Sequence, residues 1–193
     1  MVFMKQKTAK LFVITGPSGV GKGTVLKKFF EKNEGEIIYS ISATTRSARP
    51  GEIDGVNYFY ITKEEFEREI KNEEFLEWTN YSGNYYGTKK SFVLNTLEKG
   101  TNVLLEIETE GAKNIMEKFP DCVSIFIAPP DLKELEKRLR GRQTESEDAI
   151  LKRLNAVKRE LGEAKNFKYK ITNDEVERAF LELQKIYESE QQN

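Results

Sequence analysis

The segment Gly16-Pro17-Ser18-Gly19-Val20-Gly21-Lys22-Gly23-Thr24 decides the fold, and it follows directly on the apolar run Leu11-Phe12-Val13-Ile14-Thr15. A glycine, four residues, then glycine and lysine is the spacing of a Walker A loop. Glycines let the main chain turn tightly, so that successive N–H groups and the N-terminus of the next helix face phosphate oxygens. Lys22 adds a mobile positive charge near a transferred phosphoryl group. The sequence therefore predicts a phosphate-binding loop between a buried strand and a helix over residues 22–31.

This loop departs from the motif at one position. Gly23 stands where the motif has a Ser or Thr that ligates magnesium, and Thr24 follows about 100° further around the helix. The ending Gly-Lys-Gly-Thr resembles that of adenylate kinases, in which phosphates and water hold much of the metal. We therefore expect weak protein ligation of Mg²⁺. An ordinary glycine-rich turn is the alternative, and the strand before the loop and the helix after it argue against that reading.

Two more apolar runs, 102–107 and 123–128, read as central strands, and each precedes a helical segment, at 110–119 and 131–140. Alternating strands and helices imply a parallel sheet with helices on both faces. The first run ends in two acids at period-two spacing, which places them on one side of a strand. There they could hold magnesium or its water shell, as a Walker B acid does; solvated acids at a strand end are the alternative. These acids are Glu106 and Glu108.

Composition limits the chemistry. The chain has 193 residues, enough for one domain with a real core, and its net charge of −1 argues against bulk attraction to nucleic acid or membranes. It contains no histidine, which excludes His-based triads and His-containing zinc sites. Cys122 is the single cysteine, and the start of the chain lacks an apolar core of signal-peptide length. Cytoplasm is the expected location; the oligomeric state is not indicated.

Residues 42–90 interrupt the strand–helix alternation and predict an insertion with its own small sheet. Its first loop carries Arg46 and Arg49 among hydroxyl side chains. Arginine forks bind phosphate oxygens in pairs of hydrogen bonds, although paired loop arginines are more often solvated surface. The tyrosines of this stretch are equally consistent with packing within a sheet; they include Tyr58, Tyr81, Tyr85 and Tyr86.

In combination, six blocks of the chain resemble guanylate kinases in order and spacing: 16–24, 42–51, 74–78, 82–88, 127–130 and 138–146. The resemblance runs from about residue 11 to 187. It implies an α/β fold: a parallel-sheet P-loop kinase core with helices on both faces, a small mixed-sheet GMP-binding insertion and an arginine-rich lid. The implied boundaries, within a single domain 1–193, are about 8–41, 91–137 and 158–193 for the core, 42–90 for the insertion and 138–157 for the lid.

The resemblance also implies roles for individual residues. Those matching the GMP-phosphate ligands are Arg46, Arg49, Tyr58 and Tyr86, and those matching the guanine ligands are Ser42, Glu77 and Thr88. Glu106 and Glu108 match family acids, where Asp is common; Glu108 is expected at GMP, and Glu106 with Thr24 at Mg²⁺. ATP is expected on Gly16, Pro17, Ser18, Gly19, Val20, Gly21, Lys22, Gly23, Thr24 and Asn173, the last near adenine. The implied catalytic set is Lys22, Arg46, Arg138, Arg142 and Arg153.

A carboxylate at Glu77 also makes independent chemical sense. It can accept both the N1–H and a 2-amino hydrogen of guanine, whereas adenine offers neither in that arrangement and would leave the buried acid unpaired. The predicted reaction is therefore Mg²⁺-dependent transfer of the γ-phosphoryl group of ATP to GMP, and also to dGMP.

Two alternatives remain open at this stage. A P-loop kinase for another small acceptor would keep the phosphate loop but should lack the blocks around Glu77 and Tyr86. A catalytically inactive guanylate-kinase-like module, which binds phosphorylated peptides in scaffold proteins, typically erodes the loop and carries proline near residues 42–43. This chain retains Lys22, Ser42 and the lid arginines.

Overall fold

The computed structural model describes residues 9–140 and 147–192, and within them it leaves the side chains of residues 148, 149 and 152 undescribed. In chain order the strands are β1 (Leu11–Thr15), β2 (Ile37–Tyr39), β3 (Ala43–Thr44), β4 (Phe59–Tyr60), β5 (Phe75–Tyr81), β6 (Asn84–Lys89), β7 (Asn102–Glu106), β8 (Val123–Ala128) and β9 (Tyr169–Thr172). The helices are α1 (Lys22–Lys32), α2 (Lys63–Lys71), α3 (Lys90–Glu98), α4 (Thr109–Lys118), α5 (Leu132–Arg140), α6 (Glu147–Glu163) and α7 (Val176–Gln192).

The chain forms two compact units. Unit 1 comprises the described parts of Met1–Val13 and Glu36–Cys122, and unit 2 those of Ile14–Gly35 and Val123–Asn193. The division therefore falls inside β1. The predicted core, insertion and lid follow other boundaries, and that division of the chain stays a prediction.

Unit 1 contains a parallel pair, β2 with β7, and a separate mixed sheet in the order β4-β3-β6-β5. In the mixed sheet β3 is parallel to β4 and antiparallel to β6, and β5 and β6 form an antiparallel hairpin. The hairpin turns on Ser82 and Gly83, both at positive φ, as a two-residue turn of matching twist requires. Helix α2 covers this sheet by stacking Phe66 on Phe75, with ring centroids 4.2 Å apart.

Unit 2 contains the parallel pair β8 and β9, and every residue of β8 is buried. Helices α1 and α7 pack through Phe29 and Tyr187, whose ring centroids lie 5.3 Å apart. Helix α5 packs on α6 through an apolar cluster of Leu135, Leu139 and Val157.

The predicted α/β class, with parallel strands, flanking helices and a separate small mixed sheet, is confirmed. Two helices begin at a side-chain cap, since the Glu65 N–H donates to Thr62 Oγ1 and the Glu134 N–H donates to Asp131 Oδ1. Helix α3 and strand β9 were not predicted. None of the described helices is long and apolar enough to cross a bilayer.

Candidate active site

The predicted phosphate loop joins the end of β1 to the start of α1. Gly21 caps α1 at φ 94°, a left-handed conformation in which a side chain is strained. At Gly16 a side chain has no room, because its Cβ would overlap the carbonyl oxygen of Ile127. The Val20 N–H donates to the Pro17 carbonyl at 3.2 Å and closes a tight turn inside the loop. Gly21 thus allows the left-handed turn into α1, and Gly16 allows the loop to pass close to the backbone of β8.

Lys22, the first residue of α1, folds back over the loop. Its Nζ donates to the Gly16 carbonyl at 2.5 Å and reaches the Pro17 carbonyl at 3.4 Å. The ammonium group therefore lies on the loop itself. The first N–H groups of any helix lack intrahelical acceptors and carry its partial positive charge, so the start of α1 and Lys22 together favour an anion.

Two side chains of unit 2 hold the Val20 carbonyl at the tip of this loop. Asn173 Nδ2 donates to it at 2.7 Å, and Arg138 Nη1 donates at 3.3 Å while also bonding the Asn173 carbonyl at 3.1 Å. Asn173 is only 2% exposed. Its Oδ1 is a buried acceptor for which the described residues provide no hydrogen-bond donor.

Two of the three predicted lid arginines lie on helices of the described structure. Arg138 lies on α5, where its Nε donates to Glu134 at 3.1 Å. Arg153 lies on α6, and its Nη1 donates to Ser18 Oγ of the phosphate loop at 2.9 Å. Arg142 lies outside the described residues. Arg138 and Arg153 thus both donate hydrogen bonds to the phosphate loop.

In unit 1, Arg46 is locked to a carboxylate that the sequence analysis did not assign. Arg46 Nη1 and Nη2 donate to the two oxygens of Glu52 at 2.9 and 3.0 Å, and Nη1 also donates to the Ser47 carbonyl at 2.7 Å. This hydrogen bonding lowers the pKa of Glu52 to about 2 and raises that of Arg46. Arg49 donates its main-chain N–H to the same carboxylate, and its side chain is exposed.

Aromatic rings surround the Arg46 guanidinium. Its Cζ lies 5.3 Å from the ring centroid of Tyr58 and 5.9 Å from that of Tyr60, within range of cation–π attraction. Tyr58 in turn meets the Tyr86 ring edge to face at 6.0 Å. Burial, followed by the charge of Glu106, raises the pKa of Tyr58 to about 12, so this hydroxyl stays a donor at neutral pH. By contrast, Tyr85 packs against Phe66, so for Tyr85 the packing alternative is the correct one.

Two of the predicted guanine ligands, Glu77 and Thr88, meet at one buried carboxylate. Glu77 on β5 is 3% exposed, and its Oε1 accepts a 2.7 Å hydrogen bond from the fully buried Thr88 hydroxyl on β6. Burial raises the pKa of Glu77 to about 7, although the Thr88 hydroxyl and the charge of Lys118 oppose the shift. Ser42 is also buried. Ionising this buried carboxyl group therefore costs free energy unless a ligand supplies hydrogen-bond donors to it.

The two family acids do not lie on one strand as predicted. Strand β7 ends at Glu106, and Glu108 is the N-cap residue of α4, so the period-two alternation does not extend to Glu108. Glu106 Oε2 accepts a 3.3 Å hydrogen bond from the Tyr39 hydroxyl. Burial, followed by the charge of Glu106, raises the pKa of Tyr39. Burial raises the pKa of Tyr58, and the charges of Glu106 and Glu108 add to this shift.

The donors expected at magnesium are sparse. Thr24 is exposed on α1, and Glu106 already accepts from Tyr39. Among the described residues no group of three or more acidic, cysteine or histidine side chains could enclose a metal ion. A hydroxyl and a carboxylate are each oxygen donors of the kind that Mg²⁺ takes alongside water and phosphate oxygens.

Sequence reasoning missed three side chains that shape these sites. Glu52 orients Arg46, Tyr60 donates to Glu52 at 2.8 Å, and Lys118 donates to the Leu76 carbonyl at 2.9 Å beside Glu77. For Glu52 a signal was present, because an acid six residues after an arginine in the same loop can fold back on it. The position of Lys118 depends on how α4 meets β5, which no local pattern encodes.

Comparison with known proteins adds an independent line of evidence. A family model described as guanylate kinase matches residues 8–190. A guanylate kinase of Prochlorococcus marinus (strain NATL2A) is 51% identical over 174 residues, covering 90% of this chain and 93% of the relative. One of Streptococcus thermophilus (strain CNRZ 1066) is 48% identical over 180 residues, covering 93% and 86%. The crystal structure of guanylate kinase from Anaplasma phagocytophilum has a TM-score of 0.80 at 31% identity, covering 97% of this chain and 88% of that one.

Proposed function

Because the chain belongs to the guanylate kinase family, we infer that it is an enzyme that transfers the γ-phosphoryl group of ATP to GMP and yields ADP and GDP. The observation that carries the choice of acceptor is Glu77, a carboxylate 3% exposed and bonded to Thr88. Neither alternative from the sequence is favoured, since the matched relatives are guanylate kinases and the chain keeps Lys22, Glu77 and Tyr86.

We propose that unit 1 binds GMP. The Glu77 carboxylate accepts the N1–H and a 2-amino hydrogen of guanine, with Thr88 and Ser42 completing the base pocket. Arg46 and the Tyr58 and Tyr86 hydroxyls hold the GMP phosphate. The contacts of Arg46 support this role, because two hydrogen bonds to Glu52 and one to the Ser47 carbonyl fix the plane of its guanidinium within the loop. Arg49, exposed and close to Glu52, is a second phosphate ligand.

We propose that unit 2 binds ATP. Main-chain amides of residues 16–24 and the Lys22 ammonium receive the β- and γ-phosphates. Arg138 and Arg153, which bond the loop at Val20 and Ser18, supply further positive charge. The buried Asn173 Oδ1, for which the described residues offer no donor, matches the adenine 6-amino group, the role that the family resemblance implies.

In-line transfer then needs little from a general base. An anionic oxygen of the GMP phosphate attacks the γ-phosphorus, the bond to the β,γ-bridging oxygen breaks, and ADP leaves with that electron pair. Lys22 and the arginines neutralise charge on the equatorial oxygens and fix the acceptor in line. Mg²⁺ neutralises phosphate charge when bound; Thr24 and Glu106 would hold it, largely through water. The lack of histidine is therefore no obstacle.

The substrates set the expected location: we propose that the protein acts in the cytoplasm, where ATP and GMP are available. GMP and dGMP are both proposed acceptors, because they present the same guanine base and phosphate to Glu77 and Arg46.

A panel of acceptors in a coupled ADP-release assay tests the proposal. GMP and dGMP should stimulate ADP formation, and AMP, UMP and CMP should not. A preference for AMP would reject the role of Glu77, whereas ADP formation independent of any acceptor would reject phosphoryl transfer to a nucleotide.

A further inference from the structure

Helix α4 passes the guanine-pocket carboxylate at a glycine. Gly111 is the third residue of α4 and is buried. A Cβ built on it would overlap Oε2 of Glu77 and would lie 3.1 Å from Glu77 Cδ. Real Cβ atoms do not approach a carboxylate this closely, so any side chain at position 111 would displace Glu77.

The backbone itself does not require glycine here. Gly111 lies inside a helix and is not among the described residues with positive φ. Glycine is a poor helix former, because it loses the most backbone entropy on folding. Its value at this position is therefore the space left by the missing side chain.

Glu77 has little freedom to retreat from such a side chain. Its Oε1 is bonded to Thr88 at 2.7 Å, and the residue is almost completely buried. At the far end of α4, seven residues on and on the same helix face, Lys118 Nζ bonds the Leu76 carbonyl next to Glu77 at 2.9 Å. Lys118 thus ties the end of α4 to β5 at the residue before Glu77.

We propose that Gly111 is a specificity-determining residue, which positions the Glu77 carboxylate for the two guanine donors by leaving Oε2 in place. The inference rests on the proposed function, in which Glu77 accepts the N1–H and the 2-amino hydrogen. A methyl group at position 111 shifts the acid and weakens both bonds. Discrimination between GMP and IMP, which keeps the N1–H but lacks the 2-amino group, falls as a result.

Steady-state kinetics of Gly111→Ala test this role. The KM for GMP should rise by about 10- to 100-fold, the range that small misplacements of a binding group produce, with the KM for ATP within about twofold. The ratio of kcat/KM for GMP over IMP should fall by about 10-fold. An unchanged KM for GMP in a folded variant would overturn the proposal. Gly162→Ala is the matched control, because Gly162 also lies in a helix and a Cβ there meets nothing within 4 Å.

A second variant separates displacement of the acid from a general loss of structure. Glu77→Asp withdraws the carboxylate by one methylene, so adding Gly111→Ala to Glu77→Asp should change the KM for GMP by less than about threefold. If Gly111→Ala alone does not fold, the double variant should recover the melting temperature of Glu77→Asp. An equal effect of the alanine in both backgrounds would overturn the proposal. Absence of GMP-dependent activity in the unmodified enzyme would instead reject the proposed function.

Discussion

Arg46 and Glu52 form a bidentate ion pair, in which the two terminal nitrogens of the guanidinium lie 2.9 and 3.0 Å from the two carboxylate oxygens. Both side chains are largely buried, at 14% and 19% exposure. Such bidentate pairs fix the plane of the guanidinium. The same carboxylate also accepts the Tyr60 hydroxyl and the Arg49 N–H, so one acid organises the whole arginine loop.

Glu52→Gln should therefore weaken GMP binding. The amide keeps the shape but loses one of the two acceptors that hold Arg46, and we expect the KM for GMP to rise about 10-fold with the KM for ATP unchanged. Steady-state kinetics with each substrate varied in turn measure this. Glu182→Gln, an exposed acid on α7, is the control. A lowered KM for GMP would show that Glu52 competes with the phosphate and would contradict the positioning role.

The pKa of Glu77 predicts how stability depends on pH. Burial raises this pKa from 4.5 to about 7. The folded protein then holds a proton that the unfolded chain releases, so stability falls as pH rises from about 4.5 to 7 and stays constant above. The full shift corresponds to about 3 kcal/mol. Denaturant unfolding of Glu77→Gln should lack most of this slope. A variant with the slope of the unmodified protein would contradict the assignment.

The same carboxylate should release a proton when GMP binds. Guanine donors favour the ionised acid, so below pH 7 binding of GMP is coupled to deprotonation of Glu77, and apparent affinity rises as pH approaches 7. Calorimetric titrations in buffers of different ionisation enthalpy measure the released proton. The GMP phosphate can also release a proton on binding, and the Glu77→Gln variant measures that contribution alone. Equal proton release by the variant and the unmodified protein would argue against the guanine–Glu77 contact.

Asn173→Ala should act on ATP alone. The substitution removes the 2.7 Å hydrogen bond to the Val20 carbonyl and the buried Oδ1 acceptor proposed for adenine. Losing a buried hydrogen bond costs about 1–3 kcal/mol, so the KM for ATP should rise about 5- to 150-fold. The KM for GMP should not change. Comparison of ATP with GTP as donor is the second readout, and an unaltered preference would exclude a contact with the base.

The sequence alone was sufficient to predict the phosphate loop together with the strand before it and the helix after it. Strand β1 is a short apolar run and α1 begins at the motif lysine, so local pattern and local physics agree. The helix caps at Thr62 and Asp131 are equally local, because a cap needs only a hydroxyl or carboxylate three residues before an N–H. Helix α3 was missed since it buries only Val93 and shows a weak apolar stripe.

The site features that the sequence did not predict depend on contacts between segments that are distant in the chain. Period-two spacing failed at Glu108 because β7 ends two residues earlier and the chain turns into α4. Gly111 carries no motif of its own, and its meaning depends on Glu77, 34 positions earlier in the chain, being brought against it. The resemblance supplied residue roles, whereas the geometry identifies which neighbours, such as Glu52 and Lys118, hold those residues in place.

The most direct test follows the γ-phosphoryl group itself. With γ-labelled ATP, GMP and Mg²⁺, the label should appear in GDP in equal amount to the ADP formed, and Lys22→Ala should slow this transfer by at least about 100-fold while the variant stays folded. Label that stays in ATP, or that passes to inorganic phosphate whether or not GMP is present, would contradict the account.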